Sequence, residues 1–266
     1  MSAVVLITGA SSGLGETIAN YLADKGYIVY GTSRNIHSEG RKFHTLQMDV
    51  GDPESIRRCV QHILHAQARI DVLINNAGLS IAGVTEHLLL ADVQQTFDTN
   101  LFGVIRVCQE VLPYMRAQQQ GRIINISSIG AEIGLPYRGI YSASKAALDR
   151  FTEALRLEVA PFGIQACSFQ PGAIKTGINQ RRLRTTVPTG SPYQHSFEST
   201  YAGIDRSIEK GSTPLSFCPV ILHIIRSKHI KRCYRVGTLL EKIAVLLKQL
   251  LPATLFERLI SRYYQH

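Results

Sequence analysis

The five cysteines, Cys59, Cys108, Cys167, Cys218 and Cys233, are odd in number, widely spaced and free of any Cys-x-x-Cys pair. That usage excludes a disulfide framework and a zinc knuckle, and it fits a reducing compartment. Long hydrophobic runs are missing as well. A membrane span needs roughly 20 predominantly apolar residues, and the best stretch, Leu239 to Leu251, is broken by Glu241, Lys242 and Lys248. The apolar run inside MSAVVLITGA is cut short by a glycine turn, unlike the core of a signal peptide. Export is therefore not expected, and a cytoplasmic location is. There is no internal repeat and no low-complexity tract, which excludes solenoid and fibrous architectures. Acid is the scarce charge: 20 Asp+Glu stand against 29 Lys+Arg, a formal net charge of +9 in 266 residues. Such an excess suits nucleic acid, an anionic membrane surface or an anionic ligand such as a phosphorylated cofactor.

What is present is an ordinary globular composition, 45% hydrophobic and 18% charged, in a chain long enough to bury a full core without staples. Short β-branched runs alternate with longer amphipathic ones, the pattern of parallel strands joined by crossover helices. The runs predict strands at 4–7, 28–31, 44–48, 72–74, 122–126 and 165–169, with helices over 14–25, 54–67, 91–116 and 141–160. Nothing before Gln170 reads as a linker, so a single doubly wound α/β domain with helices on both faces is expected. Residues 176–219 lose periodicity into Gly, Pro, Ser and Thr around Arg181, Arg182 and Arg184, which suggests a substrate lid. Regularity resumes over 220–227, an edge strand is expected near 234–236, and a basic amphipathic extension fills 237–266. There Leu239, Ile243, Leu246, Leu247 and Leu250 share a predicted helical face; after Pro252, Leu255, Phe256, Leu259 and Ile260 resume it.

The chemistry begins directly after the first strand, at Thr8-Gly9-Ala10-Ser11-Ser12-Gly13-Leu14-Gly15. A glycine-rich strand-to-helix turn lets the backbone approach a pyrophosphate, whose charge meets unpaired N–H groups at the helix start; a tight turn without ligand is the bland alternative. Where a dinucleotide site for NAD places an acid at the end of strand two, this chain has Ser33 and Arg34. A guanidinium without a competing carboxylate suits a 2′-phosphate, so NADP(H) is the expected cofactor. Asp49, followed by Val50, closes the third strand, where it either accepts from an adenine amino group or caps the turn at Gly51. Asn75-Asn76-Ala77-Gly78 ends the fourth strand, its amides suited to tying strands together and its small residues to a ribose lying close. Tyr141 and Lys145 fall four residues apart on a predicted helix, hence on one face. A free tyrosine has a pKa of about 10, and a neighbouring ammonium favours its phenolate. Ser128 lies at the end of a strand at the same edge of the sheet, and Asn100 sits in the long helix, where its amide suits holding a water. His62 and His65 share a helical face without a third ligand, so no metal site is expected.

Taken together, Thr8–Gly15, Asn75–Gly78, Asn100, Ser128, Tyr141, Lys145 and Pro171-Gly172 with Thr176 resemble, in order and spacing, the short-chain dehydrogenases/reductases, over roughly residues 3 to 176. The resemblance implies that Tyr141 is the general acid/base. It also implies that Lys145 supports Tyr141 and holds the nicotinamide ribose, that Ser128 rather than Ser127 bonds the substrate oxygen, and that Asn100 anchors a water in a proton relay. It places the pyrophosphate on Gly9, Ser11, Ser12, Gly13 and Leu14, and the nicotinamide along Pro171, Gly172, Ile174 and Thr176. The implied reaction interconverts a carbonyl and its alcohol with NADP(H).

Apolar residues between Ser128 and Tyr141, notably Ile133, Leu135, Pro136 and Tyr137, favour a hydrophobic substrate. Leu135 and Tyr137 are the expected substrate contacts beside Ser128 and Tyr141. The arrangement is similar to the branch with 17β-hydroxysteroid and retinol dehydrogenases, implying a steroid-, retinoid- or lipid-like carbonyl. Two alternatives are a 3-oxoacyl-carrier-protein reductase, docking an acidic carrier on basic surface, and a non-catalytic NADP sensor, which would have no use for Tyr141 as proton donor. Most of the excess charge lies in residues 226–266, with nine Lys+Arg and two acids. Nucleic acid is not expected, because no stacking aromatics interleave those cations. Two accounts of the extension stand. In one its apolar face packs on the domain or on a second subunit; in the other it lies at a membrane surface.

Overall fold

The six short apolar runs become strands of one parallel sheet in a computed structural model that describes residues 2–36, 39–177 and 182–265. In chain order these are β1 (Val4–Thr8), α1 (Gly13–Asp24), β2 (Ile28–Ser33), β3 (His44–Gln47), α2 (Pro53–Gln67), β4 (Val72–Asn75), β5 (Ile81–Ala82), α3 (Leu90–Phe97), α4 (Gly103–Ala117), β6 (Gly121–Ile126), α5 (Gly139–Val159) and β7 (Ile164–Pro171). There follow β8 (Leu183–Arg184), α6 (Gln194–Glu209), α7 (Cys218–Arg226), β9 (Cys233–Val236), α8 (Leu239–Leu250) and α9 (Ala253–Gln265). The seven-stranded sheet has the order β3-β2-β1-β4-β6-β7-β9. The chain runs outward from β1 and then crosses back to β4, so the connections after these two neighbours diverge and open a crevice at their carboxyl ends.

Alternation along each strand builds two cores. Val5, Ile7, Val72, Ile74, Ile124, Cys167 and Phe169 meet Ile18 and Leu22 of α1 and Ile221 and Ile224 of α7. Their neighbours Val4, Leu6, Leu73, Ile123 and Ala166 meet Ile63 of α2, Val107 and Val111 of α4, and Leu148 and Leu155 of α5. Successive strand residues point to opposite faces, and a parallel sheet covered on both sides buries both sets. Each large side chain so buried stabilises the fold by about 1.5–3 kcal/mol relative to exposure. All five cysteines carry free thiols, and burial pushes those of Cys59, Cys108 and Cys167 up to about 12.

Three expectations are corrected. The helix expected over 91–116 is interrupted at Asp98–Phe102 by a π-helical turn, separating α3 from α4. The lid expected to be irregular over 176–219 contains the 16-residue helix α6, whose buried Phe197, Thr200, Ile204 and Ile208 keep a helical period that the intervening Ser, Thr and Gly disguise. Within its arginine cluster, Arg181 lies outside the described residues. Arg182 is internal, its side chain 1% exposed and ion-paired to Asp205 at 3.3 Å, while Arg184 stacks over Tyr201 at 4.2 Å. In the extension the expected apolar face is split, with Leu247, Phe256 and Ile260 packed on the protein and the other members of it turned outward. Val245 is buried and Ala244, Leu247 and Leu251 pack with it on Ile129, Ile133 and Phe256, leaving Leu239, Ile243, Leu246 and Leu250 exposed.

Helix α7, where regularity is expected to resume, belongs to the core through Cys218, Ile221 and Ile224. Ile221→Ala should lower stability by about 2–5 kcal/mol, read as a reduced urea midpoint at unchanged slope; a change below about 0.5 kcal/mol would remove α7 from the cooperative unit.

Candidate active site

The crevice is built first by backbone constraints. Gly9 follows β1 at φ +68°, and a Cβ there would stand 2.7 Å from the Cα of Ala77. A Cβ on Gly15 would stand 2.3 Å from Nδ2 of Asn76. Only glycine tolerates both the left-handed turn and these approaches. Asn76 fastens the turn: its Nδ2 donates to the carbonyls of Thr8 and Gly9 at 3.0 and 2.9 Å, and the N–H groups of Asn76 and Ala77 donate to Oγ1 of Thr8. Asn75 instead donates to Oδ1 of Asn125, inside the sheet. Arg41 supports the turn from outside, donating to the Ser11 carbonyl at 2.9 Å and pairing with Glu16.

A cavity of about 860 Å³ occupies the crevice. Of the residues expected at the site, all line it except Asn100 and Tyr137. Ser11, Ser12, Gly13 and Leu14 lie at the N-terminus of α1, where helix N–H groups favour a phosphate. Ser33 and exposed Arg34 stand at the end of β2, and Asp49 and Val50 follow β3. One oxygen of Asp49 accepts from the Gly51 N–H at 2.9 Å, so it caps its own turn while still facing the cavity. Across the crevice, Thr176 reaches the glycine turn, its Cγ2 3.4 Å from where a Gly13 Cβ would sit. The cradle and the donors around it fit a dinucleotide.

At the inner end, β6 delivers Ser127 and Ser128, and α5 delivers Tyr141 and Lys145 on successive turns. Ser127 is buried and turns its hydroxyl to the carbonyl of Lys145 at 3.3 Å. Ser128 caps a short 3₁₀ turn, accepting from the Gly130 N–H at 3.0 Å, and keeps its O–H proton to donate. Gly130 separates it from the tyrosine: a Cβ there would be 3.3 Å from Ser128 Oγ and 3.6 Å from Cε1 of Tyr141. Lys145 donates to the Ile126 carbonyl at 2.8 Å. Burial pushes its ammonium down from the ordinary lysine value, with Tyr141 and Asp149 opposing.

Two expected residues play different parts. Asn100 sits in the π-turn, fully buried, and spends its amide on protein: Oδ1 accepts from Leu79 N–H at 2.7 Å, and Nδ2 donates to the Leu79 carbonyl and to Ser144 Oγ. Both N–H donors of that side chain are used, so it clamps the segment after β4 to α5 rather than presenting a donor to water. Tyr137 turns away from the cavity, with φ +58°, its ring edge-on to Phe197 at 5.3 Å and its hydroxyl on Ser196. Leu135 and Ile133 do face the cavity.

Six other residues complete or brace the site. Arg138 stacks its guanidinium 4.7 Å from the centre of the Tyr141 ring. Asp149, one turn beyond Lys145, accepts from Gln170 at 2.8 Å; burial pushes its carboxyl up, hydrogen bonds from Ser168, Gln170 and Ser127 oppose, and the charge of Glu132 adds to the rise. Gln170 also bonds Glu132 and Arg235, which pair at 2.9 Å. Burial works to raise Glu132, but Gln170 and Arg235 outweigh it and hold its carboxyl below the usual range. Glu241 of α8 reaches in, accepting from Ala173 N–H at 2.7 Å while forming a capping box with Thr238. The four-residue spacing from Lys145 to Asp149 and the Thr-x-x-Glu before an apolar run were available signals for two of them.

Comparison with known proteins agrees with this geometry. The family described as short chain dehydrogenase matches residues 3–186. A protein of Bacteroides thetaiotaomicron named 3-ketodihydrosphingosine reductase is 40% identical over 262 residues, 98% of this chain and 97% of its own. Human retinol dehydrogenase 8 is 34% identical over 244 residues, 84% of this chain and 78% of that protein. The crystal structure of a short-chain dehydrogenase from Streptomyces avermitilis superposes with a TM-score of 0.80 at 29% identity, covering 94% of this chain and 93% of the other. The chain belongs to the short-chain dehydrogenase/reductase family, oxidoreductases that act on CH–OH and C=O groups with a nicotinamide cofactor.

Proposed function

We propose that this protein is an NADPH-dependent reductase of a long-chain or otherwise lipid-like ketone, able to run in reverse as an alcohol dehydrogenase, with 3-ketodihydrosphingosine as the first substrate to test. The observation that carries this reading is one cavity holding the glycine turn, the Tyr141, Lys145 and Ser128 side chains, and an apolar wall that includes Ile133, Leu135, Leu247, Phe256 and Ile260. Concave, mostly apolar sites with a few convergent polar groups suit apolar ligands. The 40% identical relative, matched over nearly its whole length, supports the lipid-like class by its name. Steroid- and retinoid-like carbonyls belong in the same test panel, the latter supported by the human relative's name.

In this reading the bound cofactor supplies hydride to the carbonyl carbon. The chain does the rest. Ser128 donates a hydrogen bond to the substrate oxygen, and Tyr141 Oη gives that oxygen its proton, so C=O becomes CH–OH and a phenolate remains to be reprotonated. Lys145 and Arg138 place two cations against that phenolate, the charge that must be stabilised as the proton leaves. Asn100 acts as a positioning residue, holding the segment beside Gly78 against α5. Arg34, with Ser33, is assigned the 2′-phosphate; Asp49 with Val50 the adenine; Gly9 to Leu14 the pyrophosphate; Asn76, Ala77 and Gly78 the ribose side; and Pro171, Gly172, Ile174 and Thr176 the nicotinamide side.

Tyr141→Phe should lower kcat by about 10²–10⁴-fold while NADPH binding, read by fluorescence, stays near wild type; turnover within twofold of wild type would remove the proton-transfer assignment. In initial-rate assays on a panel of ketones, NADPH should exceed NADH in kcat/KM, and Arg34→Glu should shift that ratio toward NADH by about tenfold or more, equivalent to about 1.4 kcal/mol. An unchanged ratio would remove Arg34 from cofactor choice.

A further inference from the structure

Helix α8 carries apolar residues on both its covered and its exposed side. One packs Val245 and Leu247 on the loop after Ser128. The other carries Leu239, Ile243, Leu246 and Leu250, spaced three and four residues apart in a row along the helix and directed outward, the end residues 74% and 70% exposed. Leu255 and Leu259 of α9 are exposed as well. A helix with apolar residues around its circumference calls for a second apolar phase, and a contiguous patch of this kind marks an interaction site.

Charge selects the phase. Exposed cations lie on the same two helices, Lys242 on α8 and Arg258 and Arg262 on α9. The acid of α8, Glu241, is turned inward to Ala173 and Thr238, leaving Glu257 as the exposed carboxylate of the two helices. A two-fold contact with a second copy would set this patch against itself and bring cation to cation. An anionic bilayer surface supplies the opposite sign, and with it acyl chains for the leucines.

We propose that the outer face of α8 and α9 docks on an anionic lipid bilayer, with Leu239, Ile243, Leu246 and Leu250 entering the acyl boundary and Lys242, Arg258 and Arg262 meeting lipid headgroups. No described helix is long and apolar enough to cross a membrane, so the contact is at the surface. The same two helices reach the site: Leu240 and Leu259, both exposed, also line the active-site cavity. A lipid-like carbonyl compound then passes between bilayer and site along continuous apolar surface; this last step rests on the substrate class proposed above, whereas the docking does not.

The test is co-sedimentation of the full chain, without substrate, with vesicles of phosphatidylcholine alone and with a quarter of the lipid replaced by phosphatidylserine. Expected is sedimentation with the anionic vesicles that falls with added salt, and a loss of affinity of roughly fivefold for each of Lys242→Gln, Arg258→Gln and Arg262→Gln. Ile243→Ser/Leu246→Ser should abolish it while leaving turnover of a water-soluble ketone, and circular dichroism, as in wild type. Wild-type protein that stays in the supernatant with both vesicles overturns the proposal. So does binding indifferent to phosphatidylserine, or a wild-type dimer that the serine variant converts to monomer while vesicle binding is absent. Because the readout contains no substrate, an inactive ketone panel leaves the vesicle result standing, and active turnover does not substitute for it.

Discussion

One buried ammonium organises the active end of this molecule. Lys145 donates to the Ile126 carbonyl at the end of β6, tying α5 to the active end of the sheet. With Lys145 placed, the helix repeat puts Tyr141 one turn toward the cavity and Asp149 one turn into the protein. An ammonium taken out of water is costly unless it keeps partners. Here the carbonyl, the tyrosine and Asp149 surround it, and its reduced proton affinity records the burial.

Asp149 carries the influence of that lysine further. It bonds Gln170 at the end of β7, Gln170 bonds Glu132 and Arg235, and Lys248 of α8 donates to the carbonyl of Glu132. The polar network therefore runs from the catalytic helix to the loop after Ser128 and on to the C-terminal helices. Glu241 adds a second tie, from α8 to the backbone beside Gly172. The extension is in this way a wall of the site, held by hydrogen bonds on its inner face, and its outer leucines are what remains once that face is satisfied.

Much of the fold is legible in the residues alone because its signals are local. β-branched runs mark the strands of the seven-stranded sheet to within a residue or two, while the two-residue strands β5 and β8 pass unmarked, and the glycine turn after β1 announces itself. Tyr141 and Lys145 need only the helix repeat to be seen as a pair. The signals fail where local pattern and environment part company. The π-turn that positions Asn100 leaves no mark in the hydrophobic period. In α6 the buried positions include Thr200, so a helix reads as a polar loop. In α8 two apolar faces compete, and periodicity alone does not say which one the protein covers.

Local pattern was enough for the seven-stranded sheet, the glycine turn after β1, the paired Tyr141 and Lys145, and the concentration of positive charge in the last forty or so residues, since each follows from neighbours in the chain. Tertiary structure alone decided that Asn100 clamps Leu79 rather than facing open space, that Tyr137 leaves the cavity for Phe197, that Arg138 lies over Tyr141, and that α8 turns Val245 inward and Leu246 outward. Those outcomes depend on which distant segments meet, and on how buried polar groups find partners once they do.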